Sequence, residues 1–166
     1  MQPANPFLNR LVRQTLYMLK RQFGGTVDIY RLLSTDTDLR TGVVTAAKDV
    51  TRIDRAVVLS AKVSREVKQS ISLISSNKEM VMGGTRDERT RIFIVDRSDC
   101  PDLVLTKDCW LVYNEKKYAI DSFEESEVDS SWVIVGKELV GEIPEQIFLV
   151  AADDLLDLDC EAEAAG

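Results

Sequence analysis

The apolar residues of this chain change their spacing once, and that change sets its architecture. Over residues 6–23, Leu8, Leu11, Val12, Leu16, Leu19 and Phe23 recur at helical spacing, while Arg10, Arg13, Gln14, Lys20 and Arg21 hold much of the other face. Asn5 can cap this helix, and Pro6 suits its first position, where a missing N–H costs nothing. Gly24-Gly25 is expected to end it by accepting the left-handed backbone common at helix C-termini. Beyond that point the period falls towards two. Thr26-Val27-Asp28-Ile29-Tyr30-Arg31-Leu32 alternates apolar with polar as a half-buried strand does.

A polar turn over 34–42 leads to a second strand, Val43-Val44-Thr45-Ala46-Ala47, and Ile53, Ala56, Val57, Val58 and Leu59 mark another within 50–60. Arg91-Ile92-Phe93-Ile94-Val95-Asp96 is a short strand, and Trp110-Leu111-Val112-Tyr113 pairs with Lys117-Tyr118-Ala119-Ile120-Asp121 across the turn Asn114-Glu115-Lys116. Trp132-Val133-Ile134-Val135-Gly136 is the last strand. Several short strands behind one helix predict a mainly β fold, a small barrel or sandwich, over residues 1–150. The stretch 61–82 fits either period: 62–68 reads as a helical turn or an exposed strand, and Ile71, Leu73 and Ile74 fit both.

Composition narrows the chemistry. The chain has 166 residues, 45% hydrophobic and 30% charged, enough for one packed domain. No apolar run reaches the length of a membrane span, and Arg10, Arg13 and Lys20 interrupt the first 20 residues, so neither a transmembrane segment nor a signal peptide is expected. There is no histidine, which removes imidazole bases, Ser–His and Cys–His nucleophile pairs, and His-ligated metals. Cys100, Cys109 and Cys160 contain no CxxC pair and read as reduced thiols. Asp36-Thr37-Asp38 resembles the opening of a calcium loop, but Arg40 takes the next ligand position. Neither Gly24-Gly25 nor Gly83-Gly84 has the spacing of a phosphate loop. The acids from Asp121 to Asp129 read as a solvated loop. No enzyme, cofactor or metal is expected.

Charge is unevenly divided. Residues 1–120 carry 20 of the 21 Lys and Arg and a net +6, whereas 121–166 carry a net −13. The end of the chain, 151–166, is an acidic tail with Leu155, Leu156 and Leu158 as its apolar residues, expected to be flexible or to dock on a partner.

Between about 40 and 142 the order of elements resembles the neck proteins of tailed bacteriophages. The residues that carry this are the run Ser72-Leu73-Ile74-Ser75-Ser76-Asn77-Lys78-Glu79-Met80-Val81-Met82-Gly83-Gly84, the strand 91–96, Asp99-Cys100-Pro101, and the hairpin from Lys107 to Ile120. The hairpin is similar to one common in head-closure and head–tail joining proteins. The resemblance implies a non-enzymatic virion protein, made in the host bacterial cytoplasm, with no membrane partner. It implies a six- or twelve-fold homo-oligomeric ring that joins the portal or adaptor to the tail proteins and frames the channel for viral DNA. On this reading 61–90 is a long extended loop or β-arm reaching a neighbour, its apolar residues being hard to place in a monomer's core; an ordinary hairpin inside the barrel is the alternative. The expected interface residues are Leu8, Leu11 and Arg13 on the helix, whose stripe packs on the barrel or on a partner ring. On the arm they are Arg65, Lys68, Ile71, Leu73, Asn77, Lys78, Met80, Met82, Gly83, Gly84 and Arg86.

Other functions stay open from the residues alone. A single-stranded nucleic-acid-binding barrel of OB type would stack bases on Phe93, Trp110, Tyr113, Tyr118 and Trp132. A tail terminator or minor tail protein is a further reading within the phage class. A metal-dependent hydrolase built on carboxylates would draw on Asp36, Asp38 or the acids of 121–129.

Overall fold

A computed structural model describes residues 6–40, 43–60, 62, 65–72, 74, 88–126 and 131–141, with backbone alone at Leu8 and at 43–45. Helix α1 (Pro6–Phe23) runs directly into β1 (Gly24–Asp38), which turns into β2 (Val43–Ser60). A short helix, α2 (Arg65–Ser72), precedes β3 (Thr90–Asp96), a 3₁₀ turn (Arg97–Asp99), β4 (Trp110–Tyr113), β5 (Lys116–Glu125) and β6 (Ser131–Glu138).

All strand pairs are antiparallel, and the order β1-β2-β3-β6-β5-β4 closes on itself. Of the two expected forms, barrel or sandwich, the closed sheet is the one adopted. It is not a regular barrel. β1 and β2 pair all the way from Gly24↔Val57 to Asp38↔Val43, whereas β1 meets β4 only over Asp28–Tyr30 and β2 meets β3 only over Val57–Ser60.

Two cores follow from strand alternation. Val27, Ile29, Val58, Phe93, Val95, Leu111, Tyr118 and Ile134 point inward and fill the closed sheet. Val57, Leu59, Ile92, Ile94 and Val133, their neighbours in sequence, point outward and are covered by Val12, Leu16 and Leu19 of α1 together with Ile71 and Ile74. Ile92-Phe93-Ile94-Val95 is therefore a continuous apolar run because both of its faces are buried. Within the helical stripe, Val12, Leu16, Leu19 and Phe23 pack on the chain's own sheet.

Two glycine positions and one turn show local causes. Gly24 is needed at the α1–β1 junction, but not for a left-handed backbone; a Cβ there would lie 2.2 Å from the carbonyl oxygen of Lys20. Gly136 lies under the Phe93 ring, where a Cβ would come within 2.9 Å of that ring and 3.2 Å of Tyr118 Cβ. Asn114 and Glu115 both have positive φ, +49° and +61°, which makes the β4–β5 connection a two-residue turn matched to the strand twist.

The expectation of an extended arm over 61–90 does not hold at its described residues. Arg65–Ser72 is helical, with Glu66 in its first turn. Ile71 in the last turn of the helix and Ile74 just beyond it, whose amide donates to the Ile71 carbonyl at 2.8 Å, are buried against α1 and the sheet, so these apolar residues do have a place in the monomer's core. Residues 75–87 and the acidic tail 151–166 lie outside the described residues. What does project is a part of the chain read from sequence as a turn and two short strands: the outer half of the β1–β2 hairpin.

Candidate interaction surfaces

The β1–β2 ribbon leaves the closed sheet above Tyr30. β4 stops pairing with β1 at Tyr30, and β3 begins pairing with β2 at Val57, so among the described residues each strand from Arg31 to Asp38 has only the other as a strand partner. Eight residues at about 3.3 Å each make a projection of about 26 Å. Its base is tied down on one side by Tyr30 stacked on Trp110, with centroids 5.3 Å apart and planes 7° apart. Lys48 Nζ lies 5.4 Å from the Tyr30 ring centroid, Arg31 pairs with Asp49 at 3.3 Å, and Arg52 pairs with Asp28 at 3.2 Å. Further out every described side chain of β1 from Leu33 to Asp38 is exposed, and Leu39 at the tip is 95% exposed. One extra residue, Leu33, interrupts the pairing between Leu32↔Lys48 and Ser34↔Ala47.

A second surface lies along α1. Tyr17 and Met18 are exposed there, with Arg10, Arg13 and Arg21 around them. Three depressions meet at Tyr17. One lies over the helix at Arg13 and Met18, and a small one beside it reaches Asp96 and Ser98. The third is a cleft of about 640 Å³ between the end of α1 and β2, lined by Lys20, Arg21, Arg52, Asp54 and Arg55 among others.

Lys20, which lines two of these depressions, is held by two carboxylates. Its Nζ donates to Asp96 Oδ2 at 2.6 Å and Asp99 Oδ2 at 2.7 Å. Burial disfavours its charge, but the hydrogen bonds and the charges of Asp96 and Asp99 outweigh that, so the Lys20 pKa is raised. Burial likewise opposes ionisation of Asp96, yet the bonds from Lys20 and from the Ser98 amide hold its carboxyl below the ordinary value. Lys20 is therefore a structural tie and not part of a solvated basic face.

The predicted interface residues scatter. Leu11 is half-buried and Arg13 exposed on α1, while Leu8 is placed by its backbone alone. Arg65 is exposed and Lys68 half-buried on α2. Ile71 is a correction: it is fully buried in the monomer and is not available to a partner. Leu73, Asn77, Lys78, Met80, Met82, Gly83, Gly84 and Arg86 lie outside the described residues. Missed altogether were Leu33, Leu39 and Val50 on the ribbon and Arg52 and Arg55 beside the cleft. Pairing between 31–38 and 43–49 was the signal that would have found the ribbon, and it is visible only in three dimensions.

The aromatic platform required by the OB reading is absent from the described surface. Phe93, Trp110 and Tyr118 are buried, Tyr113 and Trp132 pack against the same interior, and Phe93 meets Tyr118 edge-on at 5.3 Å. Lys117 is buried too, its Nζ 5.3 Å from the Trp110 centroid. Asp36 and Asp38 sit exposed near the ribbon tip, Asp38 accepting from the Arg40 amide at 2.9 Å. Among the described residues no cluster of three or more Cys, Asp or Glu is arranged to hold a metal ion. No described helix is long and apolar enough to cross a membrane.

No protein-family model matches the chain, and no curated protein matches it. Among solved structures it is similar to the solution structure of protein SF1141 from Shigella flexneri 2a. That match has 11% identity and a TM-score of 0.45, and it covers 71% of this chain and 94% of that one. Likeness at that level carries no functional inference.

Proposed function

We propose that this chain is a non-enzymatic structural subunit of a tailed-phage neck, assembling as a ring that joins the portal to the tail and frames the channel for DNA. The order of motifs from Ser72 to Ile120 motivates the phage class. The observation that supports an assembly role is the ribbon. A two-stranded hairpin in water is marginal on its own, and this one exposes Leu33, Leu39 and Val50 with two unpaired edges. A neighbour that covers it supplies strand partners and buries those side chains, at roughly 1.5–3 kcal/mol for each one fully buried. In a ring the same contact repeats around the axis, one copy's ribbon meeting the next copy's wall. The arm function thus moves from 61–90 to residues 31–50.

Light scattering and negative-stain microscopy of the full chain, alone and with portal rings, test this. Rings, or stoichiometric addition to a portal, are expected, and L33S/L39S/V50S should abolish them while leaving the circular dichroism of the folded chain unchanged. A chain that stays monomeric at all concentrations and ignores portals would overturn the reading.

A further inference from the structure

We infer that the depressions along α1 are the docking site of this chain's own acidic C-terminal segment, residues 142–166. This goes beyond the neck reading and stands whether or not a ring forms.

The groove has a surplus of positive charge once internal pairs are removed. Asp96 and Asp99 are taken by Lys20, and Asp28 is taken by Arg52. Arg10, Arg13, Arg21 and Arg55 make no ion pair among the described residues, and Asp54 is the acid left to face them. The same groove is apolar at its centre, with Tyr17 and Met18 exposed and Leu11 half-buried beside them. A ligand that suits it carries carboxylates spaced among aliphatic side chains.

The chain supplies such a ligand. Residues 142–166 contain eight acids and no Lys or Arg, with Leu155, Leu156 and Leu158 set among Asp153, Asp154, Asp157 and Asp159. Charge complementarity is thus matched by apolar complementarity in one stretch. Geometry permits the contact. The described chain ends at Gly141, just past β6, and β6 lies under α1 through Val133. Twenty-five residues span at most about 80 Å, so reach does not limit docking. Attachment to the same chain also gives the segment a local concentration in the millimolar range, so that weak contacts suffice.

Native cysteine chemistry makes the test direct. Cys100 and Cys109 are buried, and burial, with the charges of Asp99 and Asp96, pushes the Cys100 thiol up to about 11. A maleimide-linked benzophenone therefore reacts at Cys160, inside the acidic segment. Photolysis of the labelled full chain at low salt, followed by peptide mapping, should place cross-links on residues 10–21 and 52–55. Replacing Asp153, Asp154, Asp157 and Asp159 by Asn should lower that yield about tenfold, equivalent to about 1.4 kcal/mol. One molar salt, which shrinks the screening length to about 3 Å, should lower it in the unaltered chain as well. Mixing isotopically heavy and light chains identifies the source: cross-links within one isotope are expected. Cross-links that are scattered over the surface, insensitive to the Asn changes and salt, or found mainly between heavy and light chains would overturn the inference.

Discussion

Replacing Lys20 by Met should cost about 2 kcal/mol at neutral pH, and the loss should disappear in acid. Lys20 joins the end of α1 to the turn after β3 through two charge-assisted bonds, at 2.6 and 2.7 Å, spanning 76 and 79 residues of sequence. Bonds of this kind contribute about 1.5–3 kcal/mol when shielded and toward 0–1 kcal/mol at the surface. Side-chain exposure is 13% at Lys20, 21% at Asp96 and 37% at Asp99, so the Asp96 bond carries most of the total. Met keeps the aliphatic packing but leaves two carboxylates beside each other without a cation.

A loss of about 2 kcal/mol corresponds to a fall of about 4–8 °C in Tm, or of about 1 M in the urea midpoint. The pH dependence has a definite sign. Asp96 is held below its unfolded value, so its contribution is complete above about pH 4 and is lost as pH falls through the depressed native value. Lys20 is raised, so its contribution persists to about pH 10.5 and is lost as pH rises through the native value. The two proteins should therefore differ by a constant amount between about pH 5 and pH 9 and draw together as pH falls below about 4. Adding Asp96→Asn and Asp99→Asn to Lys20→Met should restore much of the loss at pH 7. A midpoint unchanged by Lys20→Met at pH 7, or a loss undiminished at pH 2.5, would refute the reasoning.

Other outcomes are as specific. Glu115→Gly should raise stability by about 0.5–1 kcal/mol in urea unfolding, because glycine takes the positive φ of that turn without the cost a side chain carries. Ile71→Ala should destabilise by about 2–5 kcal/mol, whereas Leu39→Ser at the ribbon tip should stay within about 0.5 kcal/mol of the unaltered chain. Gly136→Ala should cost about 1–3 kcal/mol by forcing its methyl against the Phe93 ring, visible as a lowered thermal midpoint.

What could be read from sequence was what burial imposes on it. α1 spans Pro6–Phe23 as its stripe predicts, and the strands at 91–96, 110–113 and 132–136 lie within observed ones, because each has at least one face against a core. Ser34-Thr35-Asp36-Thr37-Asp38, part of β1, reads from sequence as a turn for the converse reason. Both faces of the ribbon meet solvent there, so nothing demands alternation and the residues look like any polar loop. Helix α2 reads ambiguously because it is only eight residues long and buries Ile71 alone, too few buried positions to define a period. Lys20 reads from sequence as one of several basic residues opposite the apolar stripe, since its partners Asp96 and Asp99 lie in a turn that the sequence does not place beside it. The depressions along α1 share that origin, being made by α1, β2 and the turn after β3, which are distant in sequence.

The single unpaired residue at Leu33 gives the projecting hairpin an elbow. Below it the strands are tied by stacked rings and ion pairs at the rim; an extra residue of this kind bends its strand and increases the local twist. Over the lever of about 17 Å from Ser34 to Asp38, a change of about 10° in that bend would carry the tip about 3 Å. The length of side chain at one position, and the hand of the backbone there, thus decide where Leu39 arrives. Deleting Leu33 would do more than remove an apolar contact: it would straighten the lever, bring Ser34 into the ladder one step early, and aim the tip at a different place.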